Sequence, residues 1–170
     1  MPKVLIMVED GVEDVEFIYP YYRFQEAGYE VEVVAPDAGE TYKGKHGVPF
    51  KSDLSPEEVD VDEYDALVIP GGRAPDRMRI DHGLVKIVEE ADGKEKVIAA
   101  VCHGPQMLIE AGVMKGRKAT CWKSVITDLK NAGANYVNAP VVVDENLVTS
   151  RFPGDLPRFC QETLKILSKR

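Results

Sequence analysis

The chain is poor in the residues that staple or anchor small proteins. Its 170 residues include only three cysteines, Cys102, Cys121 and Cys160, with no C-x-x-C spacing. An odd, scattered set excludes a disulfide framework and a cysteine-built structural zinc site. No apolar run approaches the roughly 18 residues needed to cross a bilayer, and Met1-Pro2-Lys3 leads straight into a strand-like run rather than a secretory leader. A cytoplasmic location without membrane association is therefore expected. Positive charge is also short: 21 Lys and Arg stand against 29 Asp and Glu, a formal net charge of −8, and the basic residues are interleaved with acids. A phosphate-binding surface needs clustered cations, so nucleic acid is not an expected partner. Neither a Walker phosphate loop nor a G-x-G-x-x-G fingerprint is present, which counts against a nucleotide-binding module.

What the chain does have is enough apolar material, 44% of residues, to fill one core. One domain over residues 1–170 is expected. Lys3 to Val8 is a nearly continuous apolar run, the pattern of a strand buried on both faces of a parallel sheet. Apolar positions at helical spacing follow (Phe17, Ile18, Tyr21, Tyr22, Phe24) up to the stop at Gly28, and Tyr29 to Ala35 completes a β-α-β unit. Pro20 suits only a helix start or a kink. Between Pro36 and Val61 short polar pieces punctuated by Gly39, Gly44 and Gly47 suggest a small hairpin. Ala66 to Ile69 then ends in Pro70-Gly71-Gly72, and Val97 to Val101 ends in Cys102-His103-Gly104. A helix near Val125 to Ala132, strands at Val141 to Val143 and Leu147 to Ser150, and a helix over Leu156 to Leu167 complete the chain. This is the grammar of a doubly wound, mostly parallel α/β fold with helices on both faces.

Ligands of such sheets sit outside the carboxyl ends of the strands. Three turns converge there, and one carries Ala100-Val101-Cys102-His103-Gly104-Pro105. A nucleophile-type residue at a strand end, flanked by small residues and followed by proline at a helix start, has the logic of a nucleophile elbow. Amides at that helix start favour thiolate. His103 is a candidate general base or thiolate counter-ion. The amides of Gly72 and His103 are candidate oxyanion donors. Glu13, in the first crevice loop, is the candidate for a carboxyl that keeps its proton beside the sulfur. Cys121 and Cys160 lack an elbow and read as structural.

Ala99-Ala-Val-Cys102-His103-Gly104-Pro105-Gln106, Val68-Ile-Pro-Gly-Gly-Arg-Ala-Pro75 and Glu13-Asp14-Val15-Glu16 together resemble the PfpI intracellular protease family. That family shares a superfamily with the Parkinson-associated protein deglycase. The resemblance spans essentially the whole chain and implies a flavodoxin-like, class I glutamine amidotransferase-like fold. It also implies Cys102 as nucleophile, His103 as its adjacent histidine, Glu13 as the protonated carboxyl, and Gly72 with His103 as oxyanion donors. In the protease-like branch a glutamate lent by a neighbouring subunit orients the histidine; here that position is Asp76, one methylene shorter. Trp122 stands where some relatives have a tyrosine near the pocket. Relatives form dimers and rings of dimers, so a homo-oligomer is the implied assembly.

Three functions compete. A cysteine hydrolase of deglycase or glyoxalase type would act on small carbonyl compounds or glycated proteins. An intracellular peptidase would complete an inter-subunit triad with Asp76. A redox-responsive stress protein would sense oxidants through Cys102. None of these chemistries requires a metal or an organic cofactor.

Overall fold

The apolar runs pair edge to edge. The computed structural model describes all of residues 1–170. In chain order its strands are β1 (Lys3–Met7), β2 (Glu30–Val34), β3 (Thr41–Lys43), β4 (Pro49–Lys51), β5 (Ala66–Ile69), β6 (Val97–Val101), β7 (Lys118–Ala119), β8 (Asn135–Tyr136), β9 (Val142–Asp144) and β10 (Leu147–Ser150). The helices are α1 (Asp14–Glu26), α2 (Ala74–Met78), α3 (His82–Gly93), α4 (Pro105–Glu110), α5 (Ile126–Asn131) and α6 (Leu156–Leu167).

Six strands form one sheet in the order β2-β1-β5-β6-β10-β9, parallel except for the antiparallel edge strand β9. Every residue of β5 and β6, and all of β1 after Lys3, is buried, as continuous apolar runs require when helices cover both faces. Helices α1 and α6 pack on each other, and α3 packs on β5, β6 and α4. Helix α6 buries Leu156, Phe159, Cys160, Thr163 and Leu167, a stripe at helical spacing in which Cys160 is apolar filler. The flavodoxin-like architecture expected from the sequence is the one observed.

Two details differ from expectation. Helix α1 runs through Pro20 rather than starting or ending near it; the buried ring removes one donor, so the Glu16 carbonyl loses its partner four residues on. The two-residue parallel pair β7–β8 carries no readable period at that length. The expected hairpin is β3–β4. Its loop is tied to α1 by the buried Asp14 carboxylate, which accepts the His46 and Val48 N–H groups at 2.8 and 3.1 Å. A Cβ on Gly44 would lie 2.0 Å from Asp14 Oδ1, so only glycine fits there.

Candidate active site

Strand order reverses at β1, with β2 following it on one side and β5 lying on the other, all three parallel. The crevice at such a switch point is where the fold opens to ligands. The loops after β1, β5 and β6 meet there around a cavity of about 690 Å³, closed on a further side by Phe152 and Pro153 after β10.

Cys102 follows β6 with φ of 63°, a left-handed conformation that side-chain-bearing residues rarely adopt and that costs about 1–2 kcal/mol. Its surroundings hold it in place. The Cys102 N–H donates to Ser150 O at 3.0 Å, and its carbonyl accepts from the Trp122 N–H at 2.9 Å. A Cβ on Gly104 would lie 2.4 Å from Ile69 O, so the turn closes only with glycine. Pro105 opens α4 at the position where its missing N–H has no consequence.

Around the sulfur, which is 8% exposed as a residue, four groups converge. The Gly72 and His103 amides and the Glu16 carboxyl face it, and His103 Nδ1 lies 3.3 Å away. The Gly72 amide is aimed by lacing between two loops: Val12 and Gly72 form an antiparallel bridge. The Glu13 N–H donates to Gly71 O, and the Arg73 N–H to Gly11 O at 2.8 Å.

The carboxyl beside the sulfur is Glu16, which corrects the expectation of Glu13. Glu13 precedes α1 and turns to the rim, where it meets Lys45 Nζ at 3.4 Å and His46 Nε2 at 3.2 Å. Glu16 lies one turn into α1, on the face that also buries Phe17, Pro20 and Phe24. Its Oε1 accepts the Gly71 N–H at 2.8 Å, and its Oε2 is buried without a hydrogen-bond partner. Glu13, Asp14 and His46 bring ligand-type atoms within 4.8 Å of one another. The Asp14 oxygens are occupied by backbone amides and Lys45 shares the Glu13 carboxylate, so this cluster anchors a loop.

Electrostatics follow from burial. Glu16 is fully inaccessible, and desolvation, opposed by the Gly71 amide, pushes its carboxyl up to about 8. Burial, then the Glu16 charge, also pushes the Cys102 thiol up, while the Gly72 and His103 amides pull it down. At neutral pH Glu16 holds its proton, so its repulsion is absent and its O–H can donate to sulfur. Burial, then Lys45, holds His103 below its usual value; the imidazole is neutral at pH 7, fit to be a base rather than a standing counter-ion.

Helix α2 exposes Asp76 at the cavity rim, and within the chain Asp76 makes no bond to His103. The imidazole Nε2 instead lies 3.4 Å from Ser124 Oγ. Trp122 forms a cavity wall, edge-on to Phe152 at 6.3 Å. Cys121 and Cys160 are buried and their thiols are raised. Sequence reasoning missed Glu16, Ser124, Phe152 and the rim cations; of these only Glu16 carried a signal, its place on the apolar face of α1.

The Glu16 proton predicts a pH effect on stability. Between about 4.5 and 8 the unfolded chain ionises this carboxyl while the folded chain does not, so stability falls as pH rises through that window, by on the order of 5 kcal/mol in total. Glu16→Gln keeps an acceptor for the Gly71 amide and cannot ionise. Urea unfolding at pH 5 and pH 8.5 is expected to show a clearly smaller loss for the variant than for the wild type. Equal slopes would mean that the carboxyl is ionised in the folded chain.

The sequence profile of the DJ-1/PfpI family matches residues 2–166. A deglycase of Thermococcus kodakarensis is 50% identical over 165 residues, covering 97% of this chain and 99% of its own length. Protein/nucleic acid deglycase 2 of Escherichia coli is 45% identical over 167 residues, 97% of each chain. Among solved structures, a two-domain protein of Anabaena variabilis with DJ-1/ThiJ/PfpI-like and ferritin-like domains superimposes with a TM-score of 0.97 at 46% identity. That match covers 99% of this chain and 48% of the other.

Proposed function

Because the chain belongs to the DJ-1/PfpI family, and relatives named deglycases support a hydrolase or deglycase function at family level, we propose that Cys102 is the nucleophile of a carbonyl-processing hydrolase. The observation that carries this reading is the sulfur itself, on a left-handed turn between two amide donors and a protonated carboxyl. Two donors preset for a developing oxyanion are what addition to a carbonyl needs.

On a glyoxal, the Cys102 proton passes to neutral His103 and the sulfur adds to the aldehyde carbon. A C–S bond forms, the carbonyl π bond opens, and the new oxyanion is held by the Gly72 and His103 amides. Glu16 gives its proton to the neighbouring carbonyl oxygen, removes the C–H proton as carboxylate, and returns it to the adjacent carbon. The first carbon is thereby oxidised to a thioester and the second reduced to an alcohol, with no outside oxidant. Water then cleaves the thioester, releasing a hydroxy acid and the thiol, and the proton held by His103 passes through solvent to Glu16, so that both groups return to their starting states. An adduct first releases its amine or thiol: the C–N or C–S bond breaks, the carbinol hydroxyl proton passes to the leaving atom, and the aldehyde so re-formed is the carbonyl that Cys102 captures. Trp122 and Phe152 bound the space for the substrate.

Peptide cleavage makes a further demand: His103⁺ must be oriented to protonate a leaving amine. Within one chain His103 has no carboxylate partner, so Asp76 would have to come from another copy in a homo-oligomer. The test pairs lactate formation from methylglyoxal with cleavage of a fluorogenic peptide. Asp76→Ala is expected to retain lactate formation within about two-fold, with no peptide cleavage by the wild type. Peptide cleavage by the wild type that Asp76→Ala removes would overturn this in favour of the inter-subunit peptidase.

A further inference from the structure

Three arginines elsewhere on the chain close on acids, while Arg23, Arg158 and Arg170 have no carboxylate within 4 Å. Arg79 meets Glu110 at 3.0 Å, Arg117 meets Asp92 at 2.6 Å, and Arg151 meets Asp155 at 3.0 Å. Arg73 and Arg77 line the same cavity as Cys102, and neither has a carboxylate within 4 Å, although Asp76 stands on the same rim. What sets Arg73 and Arg77 apart from the other arginines without a carboxylate partner is their place: of the eight arginines only these two line the Cys102 cavity, in a chain whose net charge is −8.

Their placement is built rather than incidental. The Arg73 backbone is fixed against Gly11, whose position would bring an added Cβ within 2.9 Å of Arg73 Cβ, and its N–H donates to Gly11 O at 2.8 Å. Arg73 directly follows Gly72, so one rigid turn carries both the amide that faces the sulfur and the first guanidinium. Arg77 follows four residues later, one helical turn on, which sets the two side chains on a common face. Asp76, between them on the rim, and Glu9, which acts on Arg77, oppose them only from beyond 4 Å. Glu13 is met by Lys45 Nζ at 3.4 Å and by His46 Nε2 at 3.2 Å, and Glu16 keeps its proton. A planar guanidinium pair of this kind suits the bidentate geometry of a carboxylate or phosphate.

We propose that Arg73 and Arg77 form an anion subsite beside Cys102, and that the carbonyl compounds processed here carry a carboxylate or a phosphate close to the reactive carbon. This rests on the carbonyl-processing reading for its substrate class, whereas the subsite can be tested without turnover. Iodoacetate and iodoacetamide alkylate the same thiol and differ in one carboxylate against one amide. Their rate ratio at Cys102, divided by the ratio on a free small thiol, reads the field of the subsite. In the Arg73→Ala, Arg77→Ala double variant this normalised ratio is expected to fall about five- to ten-fold, and added salt to lower it in the wild type. Arg23→Ala, Arg158→Ala removes two other unpaired arginines away from the cavity and is expected to leave the ratio unchanged. Acetate and inorganic phosphate, added as competitors of iodoacetamide, separate the two anions by which protects Cys102 better. An equal ratio in wild type and the Arg73, Arg77 variant would overturn the subsite, as would an equal fall in the charge-matched control.

Turnover of methylglyoxal adducts of N-acetylcysteine and of its neutral amide then separates the two claims. If the alkylation ratio behaves as expected and neither adduct is consumed, the subsite stands and the carbonyl reading fails. If both adducts are consumed at equal efficiency and the alkylation ratio does not move, the reverse holds.

Discussion

Replacing Cys102 by serine is expected to lower lactate formation from methylglyoxal by about a thousand-fold or more, while leaving the fold intact. The substitution changes the chemistry of the side chain and leaves its position as it was. Serine is close in size to cysteine and takes the same left-handed backbone at similar cost, so the turn, the Gly72 amide and the Glu16 carboxyl stay where they are. The hydroxyl, however, is a much weaker acid than the thiol, and neutral His103 cannot generate an alkoxide from it without a carboxylate behind the ring. Thermal or urea unfolding should agree with the wild type within about 1 kcal/mol. Activity within ten-fold of wild type would remove Cys102 from the nucleophile's role. The same variant separates the redox reading: if mild peroxide adds oxygen to the wild type but not to Cys102→Ser, and no carbonyl substrate is consumed by either, the protein is an oxidant sensor instead. The partnerless Glu16 Oε2 beside the sulfur is the feature that would favour it.

Gly72→Ala is expected to damage both stability and catalysis. Gly72 has φ of 75°, and a Cβ there would lie 2.3 Å from Glu13 N and 2.6 Å from Gly11 O, both backbone atoms with nowhere to retreat. Left-handed strain and loop displacement together should cost about 3 kcal/mol, read by urea unfolding. Because the displaced group is the amide that faces the sulfur, residual activity of the folded fraction should fall about a hundred-fold. Gly28→Ala supplies the contrast, with φ of 94° and nothing within 4 Å of the new carbon; it should lose only about 1 kcal/mol and no activity. Equal losses at the two positions would mean that the crowding at Gly72 is relieved by relaxation.

The strands that hold the site were readable because burial on both faces leaves one kind of residue in them: the runs at Lys3–Met7, Ala66–Ile69 and Val97–Val101 have no polar alternation to misread. The elbow was readable for a steric reason, since Gly104 has backbone oxygens where a side chain would be. Glu13 is the carboxyl expected from sequence because it sits in the first crevice loop. Helical spacing with Phe17, Pro20 and Phe24 puts Glu16 on the inner face. The contacts of Ser124 and Phe152 with the crevice depend on how distant loops are laid across the sheet edge, and no local pattern encodes that.

The strand order has a consequence for how the protein becomes itself. Glu16, Gly72 and Cys102 come from segments well separated along the chain, brought together only because β1, β5 and β6 are neighbours in a parallel sheet. Parallel neighbours cannot be joined by a tight turn, so each pairing must close a long loop before any contact rewards it. Cys102 therefore gains the neighbours that set its electrostatics late, when the central sheet is complete, and a half-made chain carries its thiol without them.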